Sequence, residues 1–455
     1  MLMFFAAVFL FVNSAQRILD KSPVFYADKT YFLAGKNKHS LSAKIIECRG
    51  TVYCPADDVL EVYGFKFSSE NSGKYTYVRK SKEISITDET AKLSKSRERS
   101  DAPEAVLWHS KLYLSVDALD RLADVSTVVK GDVAACSLYR RDTLADTVIT
   151  DKYRSKTPMQ KYAGCYIAGD RTIELLSISS DGAKKYAQAV NAIAEKLPKV
   201  NTFSMAVPTS SEFYSTKDMC TNQINGIKTV YKNLSKDVMP INAVDPIQKH
   251  LDENLYFKTD HHWTQRGAYY AYRAFNDFRG RSTPALSEFE NVPAEGFVGS
   301  FASFMRGTDG EKICRENPDV LERFIPKTSP VGMAYSDMAL TKPLMNVEAV
   351  NTNVVSYMAF VGGDCPISRF TTTNKNKKSI LIVKESYGNA LATWAMNDYE
   401  TVYILDPRGF NGFNGSTEIF KIDKFYSMFP FDDLLIVNYP AAMSPRLCGA
   451  IQNLI

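Results

Sequence analysis

Four short apolar runs beyond residue 160 restrict the fold more than any other feature of the chain. They are "TFSMAVP" (202–208), "SILIVKES" (379–386), "TVYILD" (401–406) and "DLLIVNY" (433–439). Runs that are apolar on both faces are typical of strands buried inside a parallel sheet. Some of them are separated by segments with helical spacing. Residues 161–455 are therefore predicted to form an α/β domain, a three-layer α/β/α doubly wound sheet.

In such a sheet, functional groups collect at the edge where the parallel strands end. The run at 379–386 leads into "KESYGNA", so Ser386 is expected at a turn from strand to helix. The runs at 202–208 and 433–439 end in "VPTSS" and "NYP". Residues 209–211 and Asn438 could therefore line the same cleft.

Residues 25–135 differ from the rest and are predicted to form a small α+β domain. A pattern occurs twice, as "GTVYCPADDVLEVYGFKF" and as "SKLYLSVDALDRLADVST". In each copy a tyrosine, Tyr53 or Tyr113, begins a strand-like segment, and apolar residues at helical spacing follow. The repeat resembles the copper amine oxidase N-terminal-like domain, a module common in exported bacterial proteins. The resemblance implies a scaffold or wall-binding role, since His39 and His109 have no ligand cluster around them.

The segments that flank this domain give an expectation about location. The first twelve residues, "MLMFFAAVFLFV", are apolar. The run is too short to span a membrane but long enough for the core of a signal peptide. Residues 1–20 are therefore expected to be a signal peptide or an N-terminal membrane anchor, the alternative being a buried helix or strand. The protein would then be extracytoplasmic, secreted or membrane-anchored, with residues 136–160 as a linker.

Charge and cysteine spacing narrow the possible partners. A net charge of +4 over 455 residues, without a dense basic stripe, does not suggest a nucleic-acid partner. The eight cysteines form no CxxC pair and no zinc-like spacing. Cys48 and Cys54 could form a short bridge in an oxidising compartment.

The stretch "KTDHHWT" places two of the five histidines of the chain side by side, ahead of a predicted helix that Thr264 could cap. One interpretation is a hydrated loop with incidental histidines. A second is a zinc or manganese site, since Asp and His are good ligands and Asp364 could contribute, although no further ligand motif occurs. A third is a triad in which Asp260 holds His262 and His262 activates Ser386.

"KTDHHWT" followed far downstream by "IVKESYGNA" resembles the DHHW family of bacterial exported proteins. That family is similar to the alginate O-acetylation proteins of the SGNH hydrolase-like superfamily. The resemblance covers roughly residues 165–455. It implies that Asp260 and His262 are acid and base and that Ser386 is the nucleophile, in permuted order. Glu385 stands where relatives more often have Asp.

These expectations describe an exported serine-dependent O-acyl (acetyl) transferase or esterase that acts on a cell-surface or extracellular polysaccharide. It would use an acyl donor and a glycan acceptor, and a membrane protein could supply the acyl groups. No cofactor and no metal are expected. The alternatives are a non-catalytic polysaccharide-binding protein and a metal-dependent hydrolase.

Further residues are candidates for supporting the reaction. The backbone N–H of Ser386 could stabilise the oxyanion. Polar groups near the strand ends could add to it, namely Asn389, Asn438 and Arg408. His261 is expected to be packed or substrate-facing, and Trp263 a lid or a core residue. A hydrogen-bonded chain from Ser386 through His262 to Asp260 would favour catalysis over the alternatives.

Overall fold

The computed structural model describes residues 22–27, 29–48, 51–89, 103–108, 111–131, 133, 144, 147–279 and 281–455. The predicted signal peptide or anchor (1–20), His109 and most of residues 136–146 lie outside the described residues. The chain divides into two compact units, 1–141 and 142–455. Within the described part of the chain, no helix combines the length and apolar content needed to cross a membrane.

The first unit is rich in strands. Its described elements are β1 (Pro23–Tyr26), β2 (Tyr31–Ala34), β3 (Asn37–Ser40), β4 (Ile46–Cys48), β5 (Thr51–Pro55), α1 (Ala56–Val62), β6 (Lys66–Asn71), β7 (Lys74–Arg79), β8 (Lys82–Thr87), β9 (Ala105–Trp108), β10 (Lys111–Ser115), α2 (Val116–Ala123) and β11 (Val128–Lys130). They form three small sheets with the orders β11-β1-β2-β3, β4-β5-β10-β9 and β6-β7-β8.

The two copies of the sequence repeat adopt the same arrangement. In each copy a strand runs directly into a helix, β5 into α1 and β10 into α2. The two strands pair antiparallel, with Ser115 opposite Tyr53. Tyr53 and Tyr113 are both buried. The repeat is therefore a repeated strand–helix unit whose copies share one sheet.

The short bridge that Cys48 and Cys54 could form, a possibility that the sequence left open, is not present. Cys48 is disulfide-bonded, whereas Cys54 is a free thiol in the core of the first unit. Burial raises the pKa of Cys54 well above its ordinary value, so the thiol is protonated and inert. The sequence spacing suggested a hairpin bridge, but the side chain of Cys54 points into the apolar core instead.

The second unit alternates strands and helices. Its strands are β12 (Gln160–Tyr162), β13 (Cys165–Ala168), β14 (Arg171–Ile173), β15 (Asn201–Ala206), β16 (Val238–Pro240), β17 (Ala294–Phe297), β18 (Asp319–Leu321), β19 (Val331–Tyr335), β20 (Pro343–Val347), β21 (Ile367–Thr371), β22 (Ser379–Lys384), β23 (Thr401–Leu405) and β24 (Asp433–Asn438). Its helices are α3 (Ser180–Lys196), α4 (Ser210–Tyr214), α5 (Gln223–Asn233), α6 (Val244–Lys249), α7 (Gln265–Phe278), α8 (Ser300–Phe304), α9 (Asp309–Glu316), α10 (Tyr387–Ala395), α11 (Ile422–Met428) and α12 (Pro445–Gln452). All four predicted strands are present.

One eight-stranded sheet, β16-β15-β24-β22-β23-β21-β19-β20, forms the centre of this unit. The five strands from β16 to β23 are parallel, and β21, β19 and β20 continue the sheet antiparallel. Every residue of β15 and β24 is buried, so both faces of the sheet are covered. Helix α3 packs with α5, α11 and α12, and α7 packs with α6 and α10. The predicted α/β class is confirmed, and the antiparallel extension was not predicted.

A buried ion pair holds the starting end of β24. Arg279 Nη2 lies 2.8 Å from Asp433 Oδ2, and both side chains are almost fully enclosed. Tyr399 donates its hydroxyl to the same carboxylate oxygen at 2.5 Å, and Asn201 donates to the other at 2.9 Å. The charge of Asp433 is therefore balanced and hydrogen-bonded, as a buried carboxylate requires.

Part of the predicted linker packs on the second unit. Leu144 is buried in its core. Thr147 Oγ1 donates to Asp245 at 2.9 Å, and the Thr150 N–H donates to Gln248 at 3.2 Å. The described residues between 144 and 159 thus belong to the second unit rather than to a free connection.

Candidate active site

The Asp-His-His stretch lies in a loop that is fastened at both ends. Tyr256 and Trp263 form an isolated antiparallel bridge. Thr264 then begins helix α7, where its hydroxyl accepts the N–H of Gly267 at 3.1 Å. The predicted cap is therefore confirmed. Residues 257–262 lie between the bridge and the cap, so both ends of the loop are fixed. Within it Asp260 and His262 are buried, and His261 is partly exposed.

Ser386 lies at the predicted turn between β22 and α10. It is partly exposed, whereas Glu385 and Tyr387 on either side are buried. The carboxylate of Glu385 accepts the backbone N–H of Tyr387 at 2.9 Å and that of Tyr439 at 3.1 Å. Burial raises the pKa of Glu385, and the two backbone N–H groups act in the opposite direction. Glu385 thus fixes the turn to the residue that follows β24.

The structure brings Ser386, His262 and Asp260 into one hydrogen-bonded chain. His262 Nε2 lies 2.7 Å from Ser386 Oγ. Its other ring nitrogen, Nδ1, lies 2.5 Å from Asp260 Oδ1. The side chains of Asp260 and His262 are 5% and 7% exposed, so this chain is shielded up to the serine hydroxyl. The arrangement has the connectivity of a Ser-His-Asp triad.

Asp260 is held by groups that stabilise its ionised form. The Ser300 N–H donates to Oδ2 at 2.7 Å, and the His262 N–H donates to Oδ1 at 2.9 Å. Burial alone would raise the pKa of Asp260, but attraction to His262 and these hydrogen bonds outweigh burial and hold it well below its ordinary value. Gly299 makes the close approach possible, since a Cβ there would meet the Asp260 Cβ at 2.2 Å.

The imidazole of His262 packs against two rings. Tyr357 stacks on it, with ring centroids 3.8 Å apart and planes at 7°. The ring of His261 is also 3.8 Å away but tilted, with planes at 36°. The Tyr357 ring was not predicted, because it comes from a segment without any motif. These two contacts restrict the orientation of the His262 ring.

His261 is both packed and accessible. Its Nδ1 lies 2.7 Å from Ser300 Oγ, and its side chain is 18% exposed, more than those of Asp260 and His262. Burial and the neighbouring His262 lower the pKa of His261 to about 4. It is therefore a neutral imidazole near neutral pH.

Trp263 is a core residue rather than a lid. It is fully buried, and its indole N–H donates to the carbonyl oxygen of Tyr387 at 2.8 Å. Tyr387 in turn donates its hydroxyl to the carbonyl oxygen of His261 at 2.5 Å. These two hydrogen bonds tie the loop that carries His262 to the helix that follows Ser386. Tyr387 was missed in the sequence, where its position directly after Ser386 is the available signal.

The side-chain nitrogens of Asn389 and Arg408 donate to carboxylates. Asn389 Nδ2 donates to Asp364 at 2.9 Å, and Arg408 forms ion pairs with Asp364 at 2.8 Å and Asp406 at 2.5 Å. The fully buried Lys384 lies 3.5 Å from Asp364 and 3.3 Å from Asp406. Two acids and two bases thus balance one another, and Asp364 belongs to this cluster rather than to a metal site.

The other residues predicted at the strand ends are buried. Asn438 accepts the hydroxyl of Tyr186 at 2.8 Å through its side-chain oxygen. Residues 209–211 are almost completely enclosed and do not line a cleft. The side-chain amide of Gln223 donates to the hydroxyl groups of Thr209 and Ser211, each at 2.9 Å. The expectation that these residues line a cleft is wrong, because all three are buried and a polar cluster uses the hydroxyl groups of Thr209 and Ser211.

Asp260, His261 and His262 also form a group with closely spaced metal-ligating atoms, all within 4.8 Å of one another. These atoms already have hydrogen-bond partners. His262 Nε2 is bonded to Ser386, His261 Nδ1 is bonded to Ser300, and both carboxylate oxygens of Asp260 accept hydrogen bonds. The donor set therefore fits proton transfer along a chain better than coordination of an ion.

Comparison with known proteins identifies a family and solved structures that this chain resembles. The profile of the family described as DHHW protein matches residues 122–405, more than half of the chain. A crystal structure of a DHHW family protein from Eubacterium siraeum is 26% identical, with a TM-score of 0.56. The match covers 65% of this chain and 97% of the relative. No curated protein sequence matches the chain.

The fold is also similar to that of PatB1 from Bacillus cereus. The PatB1 structure is 17% identical, with a TM-score of 0.50. The match covers 64% of this chain and 98% of the PatB1 chain. PatB1 with a sulfonyl adduct is 16% identical, with a TM-score of 0.51 and the same coverage. At this identity the likeness to PatB1 concerns the fold alone.

Proposed function

The chain belongs to the DHHW family, and from that premise we propose that its second unit is a serine-dependent O-acyltransferase or esterase. The single observation that carries the proposal is the hydrogen-bonded chain Ser386–His262–Asp260, with distances of 2.7 and 2.5 Å. A serine hydroxyl is a weak nucleophile until a neighbouring base takes its proton. His262 is hydrogen-bonded to the Ser386 hydroxyl and can take its proton, and Asp260 stabilises the imidazolium that results.

The first half of the reaction is acylation of Ser386. His262 Nε2 takes the proton of Ser386 while Oγ attacks the carbonyl carbon of an ester donor. The bond from that carbon to the oxygen of the donor alcohol then breaks, and His262 gives its proton to the departing alcohol. The oxyanion that forms needs donors at short range, each worth about 3–4 kcal/mol of barrier. The backbone N–H of Ser386 is a candidate, because it donates to no atom of the described residues. The Tyr387 N–H is excluded from this role, since it donates to Glu385.

The second half is transfer of the acyl group to a hydroxyl group. His262 takes the proton of the incoming hydroxyl and returns it to Ser386 Oγ as the acyl–serine bond breaks. With a sugar hydroxyl the enzyme is a transferase, and with water it is an esterase. We propose acetyl as the acyl group and a cell-surface or extracellular polysaccharide as the acceptor. A membrane protein that supplies acyl groups would complete the system.

The remaining proposals concern location and the first unit. We propose that the protein is extracytoplasmic, which the apolar stretch at residues 1–12 and the disulfide at Cys48 support. We also propose that the first unit is a copper amine oxidase N-terminal-like domain with a scaffold or wall-binding role. The repeated strand–helix unit supports this, because the resemblance was based on the same repeat.

The test is hydrolysis of p-nitrophenyl acetate by the full chain, beside Ser386→Ala and His262→Ala. Either substitution should lower kcat by about 10⁴-fold or more with folding intact by circular dichroism. Ser379→Ala at the starting end of β22 is the matched control and should keep full activity. Equal activity in all four proteins would refute the triad.

A second readout does not depend on the choice of donor. Phenylmethanesulfonyl fluoride should modify Ser386, as seen by peptide mass spectrometry, and His262→Ala should suppress the modification. Modification of other serines only, with Ser386 intact, would show that Ser386 is not activated.

A further inference from the structure

The second histidine of the motif has a free edge that the triad does not use. His261 Nδ1 is occupied by Ser300, and its Nε2 has no partner among the described residues. A neutral imidazole carries one donor and one acceptor, so this nitrogen can bind a hydroxyl group in either tautomer. The centroid of this ring lies 3.8 Å from that of His262, the base of the triad, so the free nitrogen belongs to a residue that packs directly on the triad.

An exposed aromatic side chain continues the same surface. The ring of Phe304, on α8, lies 6.0 Å from that of His261 with planes at 20°, and Phe304 is 49% exposed. The ring of Tyr439 is also near His261, with ring centroids 6.4 Å apart and planes at 33°. Sugar rings have apolar C–H faces and polar hydroxyl edges. A surface that combines an aromatic ring with one polar nitrogen is suited to such a ring.

The surface is also held in place by the element that positions Asp260. Ser300 donates its backbone N–H to Asp260 and bonds His261 through its hydroxyl. Phe304 lies one turn further along the same short helix. The geometry of the triad and the geometry of this surface are therefore coupled through α8.

We propose that His261 and Phe304 form the acceptor subsite, in which a sugar with neighbouring hydroxyl groups binds to resolve the acyl-enzyme. The inference rests on the proposed function and names its acceptor side. His262 Nε2 takes the proton of one sugar hydroxyl, whose oxygen forms a bond to the acyl carbon. The bond from that carbon to Ser386 Oγ breaks, and Oγ receives the proton. His261 Nε2 binds the adjacent hydroxyl, and Phe304 packs on the sugar ring.

The low pKa of His261, about 4, supports this assignment, because the imidazole stays neutral and keeps both hydrogen-bonding roles near neutral pH. A cationic ring at this position would also oppose the imidazolium that forms on His262 during the reaction.

The kinetic test measures how the acyl-enzyme partitions between water and added alcohols. The alcohols are methyl glycosides of glucose, galactose and N-acetylglucosamine, with cyclohexanol as the reference that lacks neighbouring hydroxyl groups. In the wild type at least one glycoside should compete with water better than cyclohexanol does. His261→Ala should lower this preference about three- to tenfold, the factor that one neutral hydrogen bond contributes. Phe304→Leu should lower it as well.

The matched controls are His39→Gln and Phe67→Leu in the first unit, and the partition ratio should stay unchanged in both. Equal partition to glycosides and cyclohexanol in the wild type, or an unchanged preference in His261→Ala and Phe304→Leu, would overturn the proposal while leaving the triad intact.

A binding measurement decides the inference without turnover. In Ser386→Ala, the imidazole Cε1–H signals of the histidines are followed by NMR as the same glycosides are added. The His261 signal, assigned by its loss in His261→Gln, should shift, and the His39 signal should not. No shift of His261 with any glycoside would refute the subsite. If Ser386 and His262 proved dispensable for turnover, the proposed function would fail, and this titration would still decide whether the surface binds sugars.

Discussion

Replacing Gly299 with alanine would displace Asp260 while leaving all three side chains of the triad chemically unchanged. Gly299 has φ −85° and ψ −167°, a conformation that alanine adopts without strain. The effect therefore comes only from steric contact of the added methyl group. The added Cβ would meet the Asp260 Cβ at 2.2 Å and its Cα at 2.7 Å. Because backbone is involved, a rotamer change of Asp260 cannot relieve the contact.

The size of the effect follows from these distances. Carbon atoms in contact lie about 3.5–4.0 Å apart, so Asp260 and Gly299 must separate by about 1.3 Å or more. Such a shift disrupts the hydrogen bonds that Asp260 makes to Ser300 and His262, at 2.7 and 2.5 Å. A misplacement of about 1 Å costs about a hundredfold in rate. Overpacking of this kind costs about 1–3 kcal/mol of unfolding free energy.

The assay compares kcat/KM for p-nitrophenyl acetate and the free energy of unfolding in urea. Gly299→Ala should lose about a hundredfold in kcat/KM, less than Asp260→Ala. Gly449→Ala in α12 is the control, because a Cβ there has nothing within 4 Å. It should keep full activity and gain about 0.5–1 kcal/mol of stability. Wild-type kcat/KM in Gly299→Ala, or the same loss in both variants, would refute the reasoning.

Four further outcomes are expected. Tyr357→Leu should lower kcat about three- to thirtyfold, because the stacked ring stabilises the imidazolium of His262, and Tyr357→Phe should restore it; equal loss in both would contradict this. His261, with its pKa lowered to about 4, stays neutral in the folded protein while the unfolded chain takes up a proton below pH about 6.5. The free energy of unfolding should therefore decrease as the pH is lowered from about 6.5 to about 4, by up to about 1.4 kcal/mol per pH unit. His261→Gln should remove this decrease, as measured by urea unfolding at each pH. Arg279→Met should cost about 3–5 kcal/mol in urea unfolding by leaving Asp433 unpaired, with kcat/KM per folded molecule unchanged; a cost below about 1 kcal/mol would contradict it. Treatment with EDTA should leave esterase activity unchanged, and a loss that zinc restores would revive the metal interpretation.

The parts of the fold predicted from the sequence depend on local patterns. The run at 379–386 is apolar on both faces, which is typical of a strand covered on both sides. The antiparallel strands β19 to β21 escaped prediction because their burial alternates or is low, with β20 almost fully exposed. Such segments look like surface loops, and their pairing is decided by neighbours distant in sequence.

The site was predictable where residues lie within a motif. Asp260 and His262 are two residues apart, and Ser386 follows a recognisable strand. Ser300 and Tyr357 come from segments that carry no pattern, and tertiary packing alone brings them to the histidines. Thr209 and Ser211 show the opposite error, since position at a strand end does not reveal that another side chain already binds their hydroxyl groups.

The position of β24 has a consequence for the order in which the protein assembles. It lies between β15 and β22, yet it comes after both of them in the chain. As the chain emerges from the ribosome, β15 and β16 cannot join β22 and β23 until β24 is made. Tyr439 directly follows β24, and its N–H binds the carboxylate of Glu385, the residue before Ser386. The turn that carries the nucleophile is therefore fixed by a strand made after it, and the long-range pairing that this strand needs makes the step slow.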